Sequence, residues 1–153
     1  MGFRQSSKSH RITPTTLTTY TSGKIMGGVQ TIADAALNQG AGVVLLSLGV
    51  FEVGTNKNAL TVLIFDAPPS GTYADNAALS LSAADLAKLV TAVSIASGDY
   101  VDVGGVTVAQ KELPPVVGRP TASSTMYALI VAAGSITLGS TTALSLRLGV
   151  LQD

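Results

Sequence analysis

Residues 143–151 read ALSLRLGVL, and apolar side chains alternate there with polar or small ones. One face of an extended strand would carry the apolar members: Leu144, Leu146, Leu148 and Val150. The opposite face would carry Ser145, Arg147 and Gly149. A side-chain period of two is that of a β-strand, and one apolar face beside one polar face is typical of an antiparallel sheet. This stretch therefore predicts antiparallel β structure with its other face in water.

Outward from this segment, short apolar runs separated by Gly, Pro and Asn turns recur along the chain. They predict strands over residues 17–21, 29–33, 43–53, 60–65, 90–95, 100–103, 106–109 and 126–132. One helix is predicted over residues 82–89, because Ser82 and Asp85 have the spacing of a capping box. Regularly spaced short strands favour a sandwich or barrel. We therefore predict an all-β, jelly-roll-like antiparallel β-sandwich or barrel, and the polar turn at 54–58 predicts a hairpin between 43–53 and 60–65.

The N-terminal residues differ in composition from the rest. Residues 1–16 are predicted to form an extended basic arm, poorly ordered without a partner, and residues 17–153 a single β-sandwich domain. The basic residues of this arm all precede the first acidic residue of the chain, Asp34. They make the arm a candidate for docking on another protein, through Arg4, Lys8, His10 and Arg11.

Three predicted strands, 43–53, 60–65 and 126–132, are apolar on both faces. One short helix cannot cover them, so the cover comes either from loops such as 66–82 and 111–124 or from a neighbouring subunit. Only 12% of the residues are charged and the net charge is zero, which favours association. We therefore predict a homo-oligomer with an intersubunit apolar face. Its candidate residues are Val44, Leu46, Leu48, Leu63, Phe65, Tyr127, Leu129 and Val131.

The sequence offers little that supports catalysis. It has no cysteine, and its one histidine, His10, falls in the predicted arm, where it is poorly placed as a general base. Acids such as Asp75 and Asp99 stand beside turn residues, where Asp commonly caps the local backbone. We predict no enzymatic activity, no cofactor and no metal site. A hydrolase with a carboxylate pair stays open only as a minor alternative.

Nucleic acid and membrane are not predicted as partners. Basic and acidic residues number 9 each, and neither a phosphate-binding nor a dinucleotide-binding glycine motif occurs. The longest apolar run, 42–51, is interrupted by Ser47 and Gly49 and is far shorter than the roughly 20 residues of a spanning helix.

Two segments together carry a resemblance to a known group of proteins. Residues 60–105 read LTVLIFDAPPSGTYADNAALSLSAADLAKLVTAVSIASGDYVDVGG, and residues 127–153 read YALIVAAGSITLGSTTALSLRLGVLQD. Covering about half the chain, they resemble small tailed-phage virion proteins of the capsid decoration, or cement, type. The resemblance implies a jelly-roll or sandwich domain, often trimeric, made in the host cytoplasm and seated on the outer surface of the phage head. The implied partner is the major capsid protein, and the group has no catalytic residues to carry over.

An alternative function stays open at this stage. A virion-surface or fibre-associated module that binds host glycans would be favoured by tyrosines exposed in loops, with Tyr73 and Tyr100 as the candidates. The N-terminal arm lies outside the resemblance, so its docking role is inferred from its charge alone.

Overall fold

The computed structural model of the protein describes residues 5–153, and nearly all of its regular structure is β-strand. The strands are β1 Ser6–Ile12, β2 Thr19–Tyr20, β3 Ile25–Ile32, β4 Val43–Val53, β5 Leu60–Phe65, β6 Leu89–Ile95, β7 Tyr100–Asp102, β8 Val106–Gly118, β9 Met126–Ala132, β10 Ile136–Thr137 and β11 Leu144–Gln152. A short helix, α1 Ala83–Leu86, precedes β6, and a 3-10 turn, Ser97–Asp99, precedes β7.

The strands form two main sheets and a small two-stranded one. Sheet I has the order β1-β11-β4-β8-β7, sheet II has the order β3-β9-β5-β6, and β10 pairs with β2. Every neighbouring pair is antiparallel. Without the short strands β2, β7 and β10, the orders β1-β11-β4-β8 and β3-β9-β5-β6 are those of an eight-stranded jelly roll. The predicted all-β, jelly-roll fold is therefore confirmed.

The predicted hairpin between β4 and β5 is wrong, because these strands belong to different sheets. The polar segment after β4 carries the chain from sheet I to sheet II. Strands β7 and β8 are joined by a hairpin at Gly104-Gly105: Asp102 pairs with Thr107, and both glycines have positive φ. A two-residue hairpin turn of this kind requires that conformation at both positions.

The core lies between the two sheets and is built from the inward faces of their strands. In β11 the predicted apolar face is fully confirmed, since Leu144, Leu146, Leu148 and Val150 are all buried. Burial of one such side chain stabilises the fold by about 1.5–3 kcal/mol. On the opposite face Arg147 is exposed, whereas Ser145 is buried at the sheet surface.

Helix α1 is shorter than the predicted 82–89. Its start is as expected, because the Oγ of Ser82 accepts a hydrogen bond from the backbone N–H of Asp85 at 3.1 Å. It ends early because Leu89 already pairs with Phe65 in sheet II. Strand pairing on the core therefore overrides the helix propensity of residues 87–89.

The N-terminal segment is extended, as predicted, but residues 6–12 are an ordered strand of sheet I and not a poorly ordered arm. Strand β1 pairs with β11 along its whole length, from Ser6 opposite Gln152 to Ile12 opposite Leu146. Beyond it, the backbone N–H of Thr16 donates to the carbonyl of Thr141 at 2.9 Å. The strand looks like an arm in the sequence because an edge strand buries little: only Ile12 is buried in it. Arg4 lies outside the described residues.

Most of the predicted intersubunit face is covered by the chain itself. Leu48 points into the core between the sheets. On the outer face of sheet II, Leu63, Phe65, Leu129 and Val131 form a second buried cluster, beneath a loop that contributes Tyr73, Ala77, Leu79 and Leu81. Tyr127 is half-buried against the same cluster. These six residues are therefore not an uncovered face. Of the two alternatives, a loop of the same chain or a neighbouring subunit, the loop after β5 covers the outer face of sheet II.

Candidate functional site

The two sheets differ in what covers their outer faces. The outer face of sheet II lies under the segment 66–82, which we call the covering loop. Its backbone bonds to the start of β3 and to the segment just before that strand: the N–H of Ile25 donates to the carbonyl of Ala77, and that of Leu79 to the carbonyl of Gly23. Sheet I has no corresponding segment among residues 5–153. The outer face of sheet I is therefore the candidate site.

The covering loop is fastened by a buried carboxylate. Asp85 is fully buried and accepts hydrogen bonds from the backbone N–H of Ser70 at 2.7 Å, the Oγ of Ser70 at 2.9 Å and the N–H of Gly71 at 3.0 Å. It also accepts from the Oη of Tyr73 at 2.6 Å and the Nζ of Lys88 at 3.1 Å. Every oxygen of Asp85 is thus engaged by its own chain.

These contacts set the charge state of the fastening. The Ser70 backbone N–H, followed by the Tyr73 hydroxyl, holds the pKa of Asp85 far below its usual range. Burial, together with the hydrogen bond to Asp85, raises the pKa of Tyr73. The pair is an ionised carboxylate with a neutral phenol, an arrangement that stabilises the loop.

Strand register defines the outer face of sheet I as rows of side chains that cross the strands. One row runs Val101, Val108, Phe51 and Ser145. The next row runs Gln110, Gly49, Arg147 and Arg11. A row with three apolar side chains therefore lies directly beside a row that ends in two guanidinium groups.

A groove crosses this face where glycine replaces larger side chains. The Arg147 guanidinium lies over the Phe51 ring, 5.6 Å from its centroid. Two adjoining cavities, of about 320 Å³ and about 240 Å³, share Phe51 and Arg147 in their walls. Such volumes suit a side chain or a small ligand. We call this feature the Phe51 groove.

Gly49 and Gly149 are what open the groove. A Cβ on Gly49 would lie 3.0 Å from Cε2 of Phe51, and one on Gly149 would lie 2.5 Å from the Oγ of Ser47. Glycine inside a strand often marks a place where something else approaches the backbone closely. The alternation of apolar and polar residues in the strands does not predict this groove. The two glycines inside strands are the sequence signal that could have indicated it.

Exposed valines border the groove. Val53 is 61% exposed and Val101 is 65% exposed. Val53 pairs with Val106 and Val101 with Val108, so the four side chains lie on one face of the sheet. The apolar border and the groove together form a continuous surface across β7, β8 and β4.

The predicted docking residues are separated by the fold. Arg11 lies on the outer face, opposite Arg147. His10 shares the inward side of Leu148, and its buried Nε2 has no hydrogen-bond partner among residues 5–153. Burial and, next, the charge of Lys8 lower the pKa of His10, while Asp34 opposes them. Lys8 donates from Nζ to the backbone carbonyl of Asp34 at 3.3 Å.

Of the predicted intersubunit residues, Val44 and Leu46 remain at the surface of sheet I. Leu46 is 39% exposed at an irregularity in the pairing of β4 with β8, and Val44 is half-buried opposite Val117. This second, smaller apolar area lies at the far end of the strands from the valine border.

A second buried carboxylate lies at the end of the core. Glu52 is fully buried and accepts a hydrogen bond from the Nδ2 of Asn58 at 2.7 Å. The carbonyl of Asn58 accepts from the Oη of Tyr100 at 2.7 Å. Burial raises the pKa of Glu52, and the hydrogen bonds from Asn58 partly offset that rise. The cluster ties the segment after β4 to β7.

Two kinds of feature are absent from residues 5–153. No three His, Asp or Glu side chains lie close enough together to hold a metal ion. No helix there is long and apolar enough to cross a membrane.

No protein-family model matches the sequence, and no curated protein matches it. Among solved structures, the chain is similar to a chain of the infectious bursal disease virus particle, with a TM-score of 0.41 and 14% identity over 98% of this chain. This chain spans 31% of the length of that viral chain.

Two other solved structures are similar at a comparable level. The cleaved adhesin domain of Lys-gingipain from Porphyromonas gingivalis gives a TM-score of 0.40 and 9% identity, over 97% of this chain and 98% of that one. A chain of Mud Crab Dicistrovirus gives a TM-score of 0.32 and 11% identity, over 97% of this chain and 67% of that one. The jelly-roll class itself rests on the strand order of sheets I and II.

Proposed function

We propose that this chain is a structural virion protein, a capsid decoration protein that binds the assembled phage head and stabilises contacts between major capsid subunits. The observation that carries the proposal is the contrast between the sheets: a fastened loop covers sheet II, whereas sheet I presents an uncovered groove with an apolar border. The resemblance of residues 60–105 and 127–153 supplies the virion context. The proposal includes no catalytic step and places the chain on the outer surface of the head.

The stabilising mechanism would be linkage. A protein that binds the assembled lattice but not the free subunits shifts the equilibrium towards the lattice, by an amount that grows with its concentration relative to its dissociation constant. A binding site made of two neighbouring capsid subunits exists only after assembly. The chain would therefore bind heads and not free subunits, even if the capsid subunit keeps the same conformation in both.

Self-association is the second part of the proposal, and we propose a homotrimer. Leu46 and Val117, which is 54% exposed, form an apolar area on sheet I away from the Phe51 groove. Light scattering of the full chain is expected to give three chain masses. A monomer that persists at high concentration would contradict this part and leave the docking part standing.

The docking proposal is tested on heads of the phage that encodes the chain, prepared without it. Added chain is expected to bind these heads, to ignore unassembled capsid subunits, and to raise the temperature at which the heads release DNA. Val101→Asp is expected to weaken binding. Leu86→Asp is the matched control, because Leu86 is 58% exposed on α1, away from sheet I. Heads that neither bind the chain nor gain heat resistance would overturn the proposal.

The glycan-binding alternative loses the feature on which it depended. Tyr73 is 6% exposed and Tyr100 is 5% exposed, and each hydroxyl already donates within the chain. Neither ring is presented as a stacking platform for a sugar.

A further inference from the structure

Two like charges face each other on the outer face of sheet I. Arg11 in β1 and Arg147 in β11 are direct partners across the antiparallel pair, and both side chains are exposed. The Cβ atoms of directly opposite residues lie about 5 Å apart, and like-charged side chains placed directly opposite each other destabilise a sheet. The repulsion between the two arginines lowers the free energy of unfolding, and an anion bound between them would offset that loss.

No carboxylate of the described chain relieves it. The ion pairs among residues 5–153 join Lys88 to Asp85 and Lys111 to Asp99, and neither arginine takes part. No acidic side chain lines either cavity of the Phe51 groove. Glu52, the acid nearest along β4, points inward and is fully buried.

Arg147 also contacts the aromatic wall of the groove. Its guanidinium lies over the Phe51 ring, and its neighbour across β4 is Gly49, which has no side chain to block an approaching group. A guanidinium stacked on a ring keeps its N–H donors free at the edge, where they match the two oxygens of a carboxylate.

From this geometry we infer that the Phe51 groove binds the carboxylate of an Asp or Glu side chain in a protein segment, between Arg11 and Arg147. The identity of that protein, a capsid subunit, rests on the proposed function. The choice of a carboxylate rests only on the two arginines of the groove.

The apolar border indicates a protein segment rather than a phosphate or a sugar. Val101, Val108 and Val53 lie beside the groove, and aliphatic side chains pack on valine whereas a phosphate or a sugar gains little there. Strands β8 and β11 flank β4, so Val108 and Arg147 lie two strand spacings apart across the sheet and two residues apart along it, about 12 Å in all. An extended segment spans that distance in about three to four residues, so an acidic and an aliphatic residue three positions apart fit both features.

The first experiment uses the isolated full chain and peptide probes. NMR signals of the Arg11 and Arg147 Nε–H groups are followed on addition of a blocked peptide with a glutamate and a valine three residues apart. The same peptide with glutamine, inorganic phosphate and sialyllactose are the comparison probes. The glutamate peptide is expected to shift both signals, and Arg11→Gln with Arg147→Gln is expected to abolish binding. Equal shifts with glutamine, or stronger binding of phosphate or sialyllactose, would overturn the inference.

The second experiment uses phage heads and separates the inference from the proposed function. The double variant is expected to bind heads at least about tenfold more weakly, because the loss of one charge-assisted hydrogen bond is enough to cause a tenfold change. Arg119→Gln, at an exposed arginine after β8, is the matched control and is expected to bind normally. Thermal unfolding of each variant confirms that it is folded.

The outcomes distinguish the two claims. Unchanged head binding by the folded double variant overturns the carboxylate inference and leaves the decoration role intact. Failure of the unmodified chain to bind heads, with the peptide response retained, overturns the decoration role and supports the carboxylate site.

Discussion

Arg147 lies over the ring of Phe51, with its guanidinium carbon 5.6 Å from the ring centroid, although the direct partner of Arg147 on β4 is Gly49. The missing side chain at Gly49 is what lets the arginine lean across to Phe51. A Cβ there would press against the same ring at 3.0 Å. The position of the charge over the aromatic ring of the groove therefore depends on a residue without a side chain.

Arg11→Gln is expected to stabilise the isolated chain. It removes one of two like charges that face each other across β1 and β11, worth about 0.2–1 kcal/mol in the free energy of unfolding. Urea denaturation at low ionic strength measures the gain, which should shrink as salt screens the repulsion. Arg119→Gln should show no such gain. A loss of stability in Arg11→Gln at every salt concentration would mean that Arg11 already has a counter-charge.

Tyr73→Phe is expected to loosen the covering loop. The Tyr73 hydroxyl donates to the buried carboxylate of Asp85 at 2.6 Å, and a hydrogen bond to a charged group contributes about 1.5–3 kcal/mol. The free energy of unfolding should fall by that amount, and amide exchange in residues 66–82 should speed up. Tyr127→Phe is the control, since its half-buried ring makes no side-chain hydrogen bond among residues 5–153. Equal effects of the two substitutions would remove the fastening role assigned to Asp85.

The two buried carboxylates are expected to give stability opposite dependences on pH. The pKa of Asp85 is lowered, so its contribution is present above the ordinary aspartate pKa of about 3.9 and is lost as the pH falls below it. The pKa of Glu52 is raised by burial, so stability falls as the pH rises from the ordinary glutamate pKa towards that raised value.

Glu52→Gln isolates the second dependence. Its stability relative to the unmodified chain should rise over the pH range above the ordinary glutamate pKa of about 4.3. Denaturation midpoints across that range provide the measurement. A constant difference at all pH values would show that Glu52 does not titrate within it.

Deletion of residues 1–12 is expected to destabilise the domain rather than trim a tail. It removes the pairing of β1 with β11 and the buried side chain of Ile12, whose burial alone is worth about 2 kcal/mol. It also exposes the edge of β11, so the truncated chain should aggregate more readily. Thermal unfolding with light scattering checks both effects. An unchanged midpoint would restore the free-arm prediction for this segment.

Much of the fold follows from local pattern. The alternation in β11 and the apolar runs of β4, β5 and β9 predict strands whose bounds match the structure closely, because side-chain period and burial are linked directly. Which strands pair with each other was harder to predict than where the strands lie. A polar turn such as 54–58 looks the same whether the chain reverses within a sheet or crosses to the next one.

The errors at the surface have a common cause. Strand β1 looks like a disordered arm because its partner, β11, is more than a hundred residues away. The apolar strands of sheet II looked uncovered because Tyr73, Leu79 and Leu81 are scattered among polar residues of the covering loop. The Phe51 groove depends on the register of three strands, β4, β11 and β1, which no single segment encodes.

Electron cryo-microscopy of phage heads with the chain bound tests the central claim most directly, because it shows both where the chain sits and which face it turns to the shell. We predict density on the outside of the head at contacts between major capsid subunits, with Phe51 and Arg147 of sheet I against the shell and the covering loop in solvent. Heads that carry no such density, or a bound chain that contacts the shell through the covering loop while the Phe51 groove faces solvent, would contradict the account.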